Sequence, residues 1–377
     1  MKILKKVLVM AKSLGGGGSE VALVEFLNSL DLTKFSVTLL LLEEDNEYKY
    51  RLNQKIKIRY LKFDNPFYKN LVSLYTIPSK AIKKLRLNSL FNIYQLVINH
   101  SIRLDDVYDV ALDFYGYGSF TTEYISKVIR ANFKATWLHD EKMNWIYNVE
   151  KSLENYNAFF CVSKSVKKRF DKNFPTLKSR TKVFYNVIDD QKILYNSTKQ
   201  IKLPFKKNKI SLLTVGRLTE QKGIDIAIKA ASQLKKHKVP FEWFVIGEGR
   251  DHRKLNKLIQ QENVEDCFFL LGRKDNPYPY MKNCELYIQP SRHEGFGLTL
   301  FEARLLKQTV IATKLPAFKE QIIDRENGLL VKKNNYQDLA QKIEYLLGNQ
   351  PLRQEIKNHI DRENLKYNNN LINSLFD

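Results

Sequence analysis

The sequence predicts an α/β protein of two doubly wound domains facing each other across a cleft. Three observations carry that expectation. Short apolar runs of strand length alternate with amphipathic runs of helix length throughout, the pattern of parallel sheets layered with helices. The alternation stops at the polar, basic stretch 191–209, "QKILYNSTKQIKLPFKKNK", and then restarts. Several apolar runs end in glycine, as at Gly216, Gly247 and Gly272, where the carboxyl edge of a parallel sheet turns toward a ligand. Glycine is equally an ordinary turn residue, so this third sign acts only beside the other two.

Taken in order, residues 1–190 form the first domain. "VLVMA" (7–11) reads as a buried strand, not a signal peptide, because the apolar core is short and Lys12 interrupts it. "GGGGSEVALVEFLNSL" follows, with Ser19 as expected N-cap and Val21, Ala22, Phe26 and Leu27 on one helical face. Strands are expected at 35–42, 56–63, 107–114, 134–139, 158–163 and 181–188. The stretch 80–98 reads as a basic amphipathic helix, suited either to an anionic leaflet or to a core with a solvated face. Residues 191–209 read as a linker and 210–350 as the second domain. Its strands are expected at 210–216, 241–247, 267–272, 284–291, 309–313 and 327–333, with helices at 223–236, 251–262, 298–307 and 317–324. Residues 336–347 and 351–375 read as closing helices, the segment 351–377 packing back toward the first domain.

Composition sets the boundaries. A chain of 377 residues with 44% apolar and 12% aromatic content buries sizeable cores, which excludes disorder as the default. Three cysteines without a CxxC pair argue against a disulfide framework and a zinc site, and fit a reducing cytosol. No run approaches the roughly 20 apolar residues of a membrane span. The net charge of +21 divides evenly, +10 over 1–190 and +11 over 191–377. An even basic surface suits phosphorylated substrates or an anionic leaflet, and biased composition explains part of it. Even charge without a recognised motif counts against nucleic acid as a partner.

Four stretches carry chemistry. The glycines before the first helix let backbone N–H groups approach an anion at a helix start, or simply make a flexible turn. In "VGRLTEQKGID", Arg217 and Lys222 follow a strand end, either as a clamp on a diphosphate or as a solvated basic turn. "FVIGEG" and "LLGR" set Gly247 and Arg273 at further strand ends. "CELYIQPSRHEGFGLTLFEARLL" reads as strand, loop and helix, with Glu294 in a loop turned by Gly295 and Gly297 and Glu302 near the start of the helix. A hydrolytic carboxylate pair is disfavoured, because Glu302 sits among the core residues of its helix. No Asp-x-Asp pair stands at a strand end to hold a divalent ion; Asp189 and Asp190 are adjacent.

These pieces, "GGSE", "GRLTEQKGID", "GEG", "LGR" and the E-x7-E element "EGFGLTLFE", resemble family 4 of the GT-B glycosyltransferases, with Rossmann-like domains, and the resemblance runs along essentially the whole chain. It implies a retaining, metal-independent hexosyltransferase without a cofactor. The donor is a nucleotide sugar, expected to be UDP-linked, and the acceptor a saccharide or lipid-linked saccharide of cell-envelope or exopolysaccharide synthesis. It implies donor-diphosphate contacts from Gly17, Gly18, Arg217 and Lys222, with Gly216, Gly247 and Arg273 around the donor. Glu302 would bond the ribose hydroxyls. Glu294 would lie beside the donor sugar, with the backbone of Gly295, Phe296, Gly297 and Leu298 near sugar or phosphate. His139, at a first-domain strand end in "TWLHDEK", would contact the sugar near its anomeric carbon. Tyr115 and Tyr117 in "DFYGYGSF" are expected as an acceptor wall, or as plain aromatic packing. The expected location is the cytoplasm, with peripheral contact on the inner face of the plasma membrane. A nucleotide-sugar epimerase or a phosphorylase on the same architecture remains an alternative, as does a basic nucleic-acid-binding protein.

Overall fold

A computed structural model describes residues 4–75, 93–116, 119–143 and 146–360. The chain divides into two compact units, the first running to Ile188 and the second starting at Asp189.

The first unit holds seven strands: β1 (Lys5–Ala11), β2 (Phe35–Leu41), β3 (Lys57–Tyr60), β4 (Val107–Asp113), β5 (Arg130–Leu138), β6 (Ala158–Cys161) and β7 (Thr181–Val183). They lie in the order β3-β2-β1-β4-β5-β6-β7, every pair parallel. β1 is central. It pairs with β2 from Lys5↔Phe35 to Ala11↔Leu41 and with β4 from Val7↔Val110 to Met10↔Asp113. Helices on both faces bury it, which is why its sequence reads as an unbroken apolar run. An aromatic cluster stiffens the carboxyl side of this sheet: the Trp137 ring centroid lies 4.9 Å from Phe26 and Phe114 and 5.0 Å from Phe160 and Phe184.

The second unit repeats the winding with six strands: β8 (Ile210–Val215), β9 (Phe241–Ile246), β10 (Phe268–Leu270), β11 (Leu286–Gln289), β12 (Val310–Thr313) and β13 (Leu329–Val331). Their order is β10-β9-β8-β11-β12-β13, again all parallel. Its core is built from β8, β9 and β11 and from the helices Ile224–Lys236 and Tyr336–Leu347, with Leu212, Trp243, Ala227, Ile228 and Ile343 fully buried. The α/β, doubly wound expectation holds for both sheets.

Several local expectations need correction. Ser19 is not the N-cap: the helix Gly18–Ser29 starts after Gly17, and the Ser19 hydroxyl bonds to Glu20 instead. The stretch expected as a linker opens with a helix, Asp190–Ser197, because the Asp189 carboxylate caps it by accepting from Lys192 N at 2.9 Å. The helix expected at 317–324 shortens to Pro316–Lys319. Most of the basic stretch 80–98, and the segment beyond residue 360, lie outside the described residues.

Candidate active site

In a doubly wound sheet a crevice opens where neighbouring strands send their connections in opposite directions. In the second unit that point lies between β8 and β11. The loop after β8 carries Arg217 and Lys222, and the loop after β11 carries Glu294. The topology brings the two together across 72 positions: Lys222 Nζ lies 2.7 Å from Glu294 Oε1. Their side chains are only 13% and 8% exposed, so removing either would leave the other charge shielded from water and unpaired.

Glu294 is held from below. Ser291 Oγ donates to the same Oε1 at 2.7 Å, and Gln289 Nε2 donates to Ser291 Oγ at 2.9 Å. Gln289 Oε1 accepts from Tyr287 OH at 2.8 Å and from Thr299 Oγ1 at 3.1 Å. Tyr287, Gln289 and Ser291 are fully buried, so a polar chain runs from the sheet interior to the Glu294 carboxylate. The two loops also meet through their backbones. Gly223 has φ +66°, and a Cβ there would lie 2.1 Å from Pro290 O. Only glycine permits that approach.

Around this pair the strand tips are tied together. Gly216 N donates to Ile246 O and Gly247 N to Gly272 O, both at 2.9 Å. Arg217 is exposed on this rim, and Arg273, partly shielded, reaches Asp275 at 4.0 Å. Gly295, Phe296 and Gly297 are buried and Leu298 is partly so. Gly297 is the N-cap of the helix Leu298–Leu305, and no side chain caps that helix. Its first N–H groups therefore point into the loop, where an anion is favoured. Glu302 lies on that helix, partly buried, with Tyr278 OH 3.4 Å from its Oε1. The two glutamates of the E-x7-E element thus have different neighbours: a lysine and a serine for Glu294, a tyrosine for Glu302.

The first unit has its own switch point, between β1 and β4. Gly17 and Gly18 begin the helix after β1, again without a side-chain cap. A Cβ on Gly17 would meet Glu20 Oε2 at 2.3 Å. Asp113, fully buried at the end of β4, accepts from Thr121, Thr122 and Thr136 hydroxyls at 2.7, 2.6 and 2.9 Å and from Gly116 N at 3.1 Å. Burial raises its carboxyl pKa against the pull of these four bonds. They fix the loop that presents Phe114 and Tyr115. His139 follows β5, with Nε2 2.7 Å from Phe114 O and its ring 5.0 Å from the Phe114 ring. Burial pushes its pKa down to about 4, with the carbonyl bond and Asp140 acting the other way. The ring is therefore neutral near pH 7, with Nε2–H donating to the carbonyl. Tyr115 is partly buried, and Tyr117 lies outside the described residues.

Sequence reading missed Gln289, Ser291 and Asp113. Asp113 had a signal, a carboxylate closing an apolar strand. Gln289 and Ser291 flank a proline in a stretch read for its acids and glycines. Among the described residues no group of three or more His, Cys, Asp or Glu side chains is placed to hold a metal ion.

Residues 196–362 match the family model described as glycosyl transferases group 1. The chain is 34% identical over 212 residues to an uncharacterized glycosyltransferase of Methanocaldococcus jannaschii, a match covering 56% of this chain and 55% of that protein. It is 26% identical over 356 residues to a Campylobacter jejuni N-acetylgalactosamine-N,N'-diacetylbacillosaminyl-diphospho-undecaprenol 4-alpha-N-acetylgalactosaminyltransferase, covering 94% and 93% of the two chains. A crystal structure of a mutant form of Staphylococcus aureus TarM in complex with fondaparinux, alpha-GlcNAc-glycerol and UDP superposes with a TM-score of 0.73 at 16% identity, over 99% of this chain and 100% of that one.

Proposed function

We propose that this chain, whose residues 196–362 match the group 1 glycosyl transferase model and whose fold matches that of TarM, is a glycosyltransferase that moves a hexose or N-acetylhexosamine from a UDP-sugar to a saccharide or lipid-linked saccharide of the cell envelope, with retention of configuration. The observation that carries the reading is the Lys222–Glu294 pair, 2.7 Å apart at the carboxyl ends of β8 and β11. The printed names of the C. jejuni relative and of the TarM complex, one a diphospho-undecaprenol-linked acceptor and the other bound UDP, support the classes of acceptor and donor.

Breaking the bond between sugar and diphosphate builds negative charge on the leaving phosphate and positive charge along C1–O5 of the sugar. Lys222 and Arg217 supply fixed positive charge for the first. Glu294, held by Ser291 and Lys222, orients the sugar. Glu302, on a separate helix, holds the ribose hydroxyls of the part that does not react. His139, neutral at working pH, serves as a hydrogen-bonding partner of the sugar rather than as a charge. Tyr115 and Tyr117 belong to the proposed acceptor side.

The test is a thermal-shift screen of the wild-type chain against UDP and a panel of UDP-sugars, repeated with Glu294→Ala and Glu302→Ala. Glu302→Ala should lose stabilisation by bare UDP, while Glu294→Ala keeps it and loses the extra stabilisation given by the sugar. Equal loss of bare-UDP binding in both variants would overturn this division of labour. Isomerised donor, or a requirement for phosphate, would point instead to an epimerase or a phosphorylase.

A further inference from the structure

We propose that Arg292 and Asp225 form a positioning clamp that locks the Lys222 loop to the Glu294 loop and so sets the geometry of the reacting pair; this rests on the donor-site reading above. Arg292 stands two residues before Glu294, and Asp225 three residues after Lys222, in the first turn of the helix Ile224–Lys236. Their contact is a two-pronged fork: Arg292 Nη1 to Asp225 Oδ1 at 2.7 Å and Nη2 to Oδ2 at 2.6 Å. Nη1 also donates to Glu220 O at 2.7 Å, and the Arg292 backbone N donates to Gln221 O at 2.7 Å. Gln221 returns the contact from its side chain, Nε2 to His293 O at 3.0 Å. One arginine thus grips the Lys222 loop from both sides of the lysine.

The pair is only partly shielded, with side chains 22% and 31% exposed. Burial works to raise the Asp225 carboxyl pKa, yet the Arg292 bonds and charge hold it below the ordinary range. Solvent screening discounts the stability that a partly exposed pair contributes, though a bidentate fork keeps more of it than a single contact would. The pair's value lies in direction, because a planar fork fixes the orientation of both partners where a lysine would not. Neither residue pairs directly with Lys222 or Glu294. They act through the loops, and a displacement of about 1 Å in a reacting group costs up to roughly 100-fold in rate.

The test uses the full chain and a UDP-sugar that the wild type turns over, with UDP release as the rate and calorimetry for donor affinity. Arg292→Ala and Asp225→Ala are made alone, together, and each in the Glu294→Gln background, with the melting temperature of every variant recorded. Each single change should lower kcat/KM by roughly tenfold. The double variant should lose no more than either alone, and in the Glu294→Gln background the further loss should shrink to below about twofold. Arg292→Lys, which keeps the charge but not the fork, should recover only part of the loss, and it replaces the alanine variant should that one fail to fold. Losses that multiply independently in every background would overturn the clamp while leaving the donor site standing. A wild-type chain that neither binds UDP nor releases it from any donor would overturn both.

Discussion

At the scale of single residues, charge and burial decide what each group contributes. His139 has a folded pKa of about 4, below the ordinary histidine value of 6.5, so the unfolded chain binds the extra proton more readily. Its contribution to stability is therefore present above about pH 6.5 and is lost as the pH falls toward 4. The melting temperature should drop between pH 6.5 and 4, and His139→Gln should flatten that drop; an unchanged slope would show that the imidazole is not shielded. The Lys222–Glu294 pair behaves differently, because each charge neutralises the other in a shielded place. Lys222→Ala should cost about two to three decades of rate. It should also lower the melting temperature by stranding the carboxylate. Adding Glu294→Gln to that variant should return the stability but not the rate. Lys222 and Glu294 were legible in the sequence because each precedes a glycine in the loop that follows a strand. Their contact was not, since 72 positions separate them and only the sheet order closes that distance.

At the scale of elements, the turns do more positional work than the helices. Gly223 links a short helical turn to the helix Ile224–Lys236 while its α-carbon rides against the Pro290 carbonyl. Gly223→Ala meets both a left-handed backbone and a backbone clash, so it should cost on the order of 1–3 kcal/mol and lower the melting temperature by several degrees in thermal unfolding. Strands were the most legible elements. The run "VLVMA" is buried on both faces and carries no polar interruption, and "FEWFVI" carries a single one, Glu242, whose carboxylate is neutralised by Lys206 at 2.7 Å. Helix starts were less legible. Ser19 has the chemistry of a cap, but its hydroxyl finds Glu20 first, and the backbone begins its helix one residue before it at Gly18. The clamp between Arg292 and Asp225 had no signature at all, because no local period relates residues 67 positions apart.

At the scale of the whole molecule, charge and strand order set the behaviour. The excess of +21 should make the chain bind vesicles containing anionic lipid, with binding that weakens as salt is raised. Flotation that ignores both lipid charge and salt would argue against that contact. No helix among the described residues is long and apolar enough to cross a membrane. Transfer should survive a chelator, since fixed cations are proposed where a divalent ion would otherwise stand; activity lost with chelator and restored by magnesium would refute that proposal. The strand order also has a consequence for synthesis. β1 sits in the middle of its sheet, yet its partner β4 is about 100 residues further along the chain. A ribosome adding about 5–20 residues per second leaves that inner edge bare for roughly 5–20 s. During that interval Val7 to Met10 form an unsealed, sticky ribbon, and a nascent chain crowded by its neighbours on one messenger is where aggregation would start.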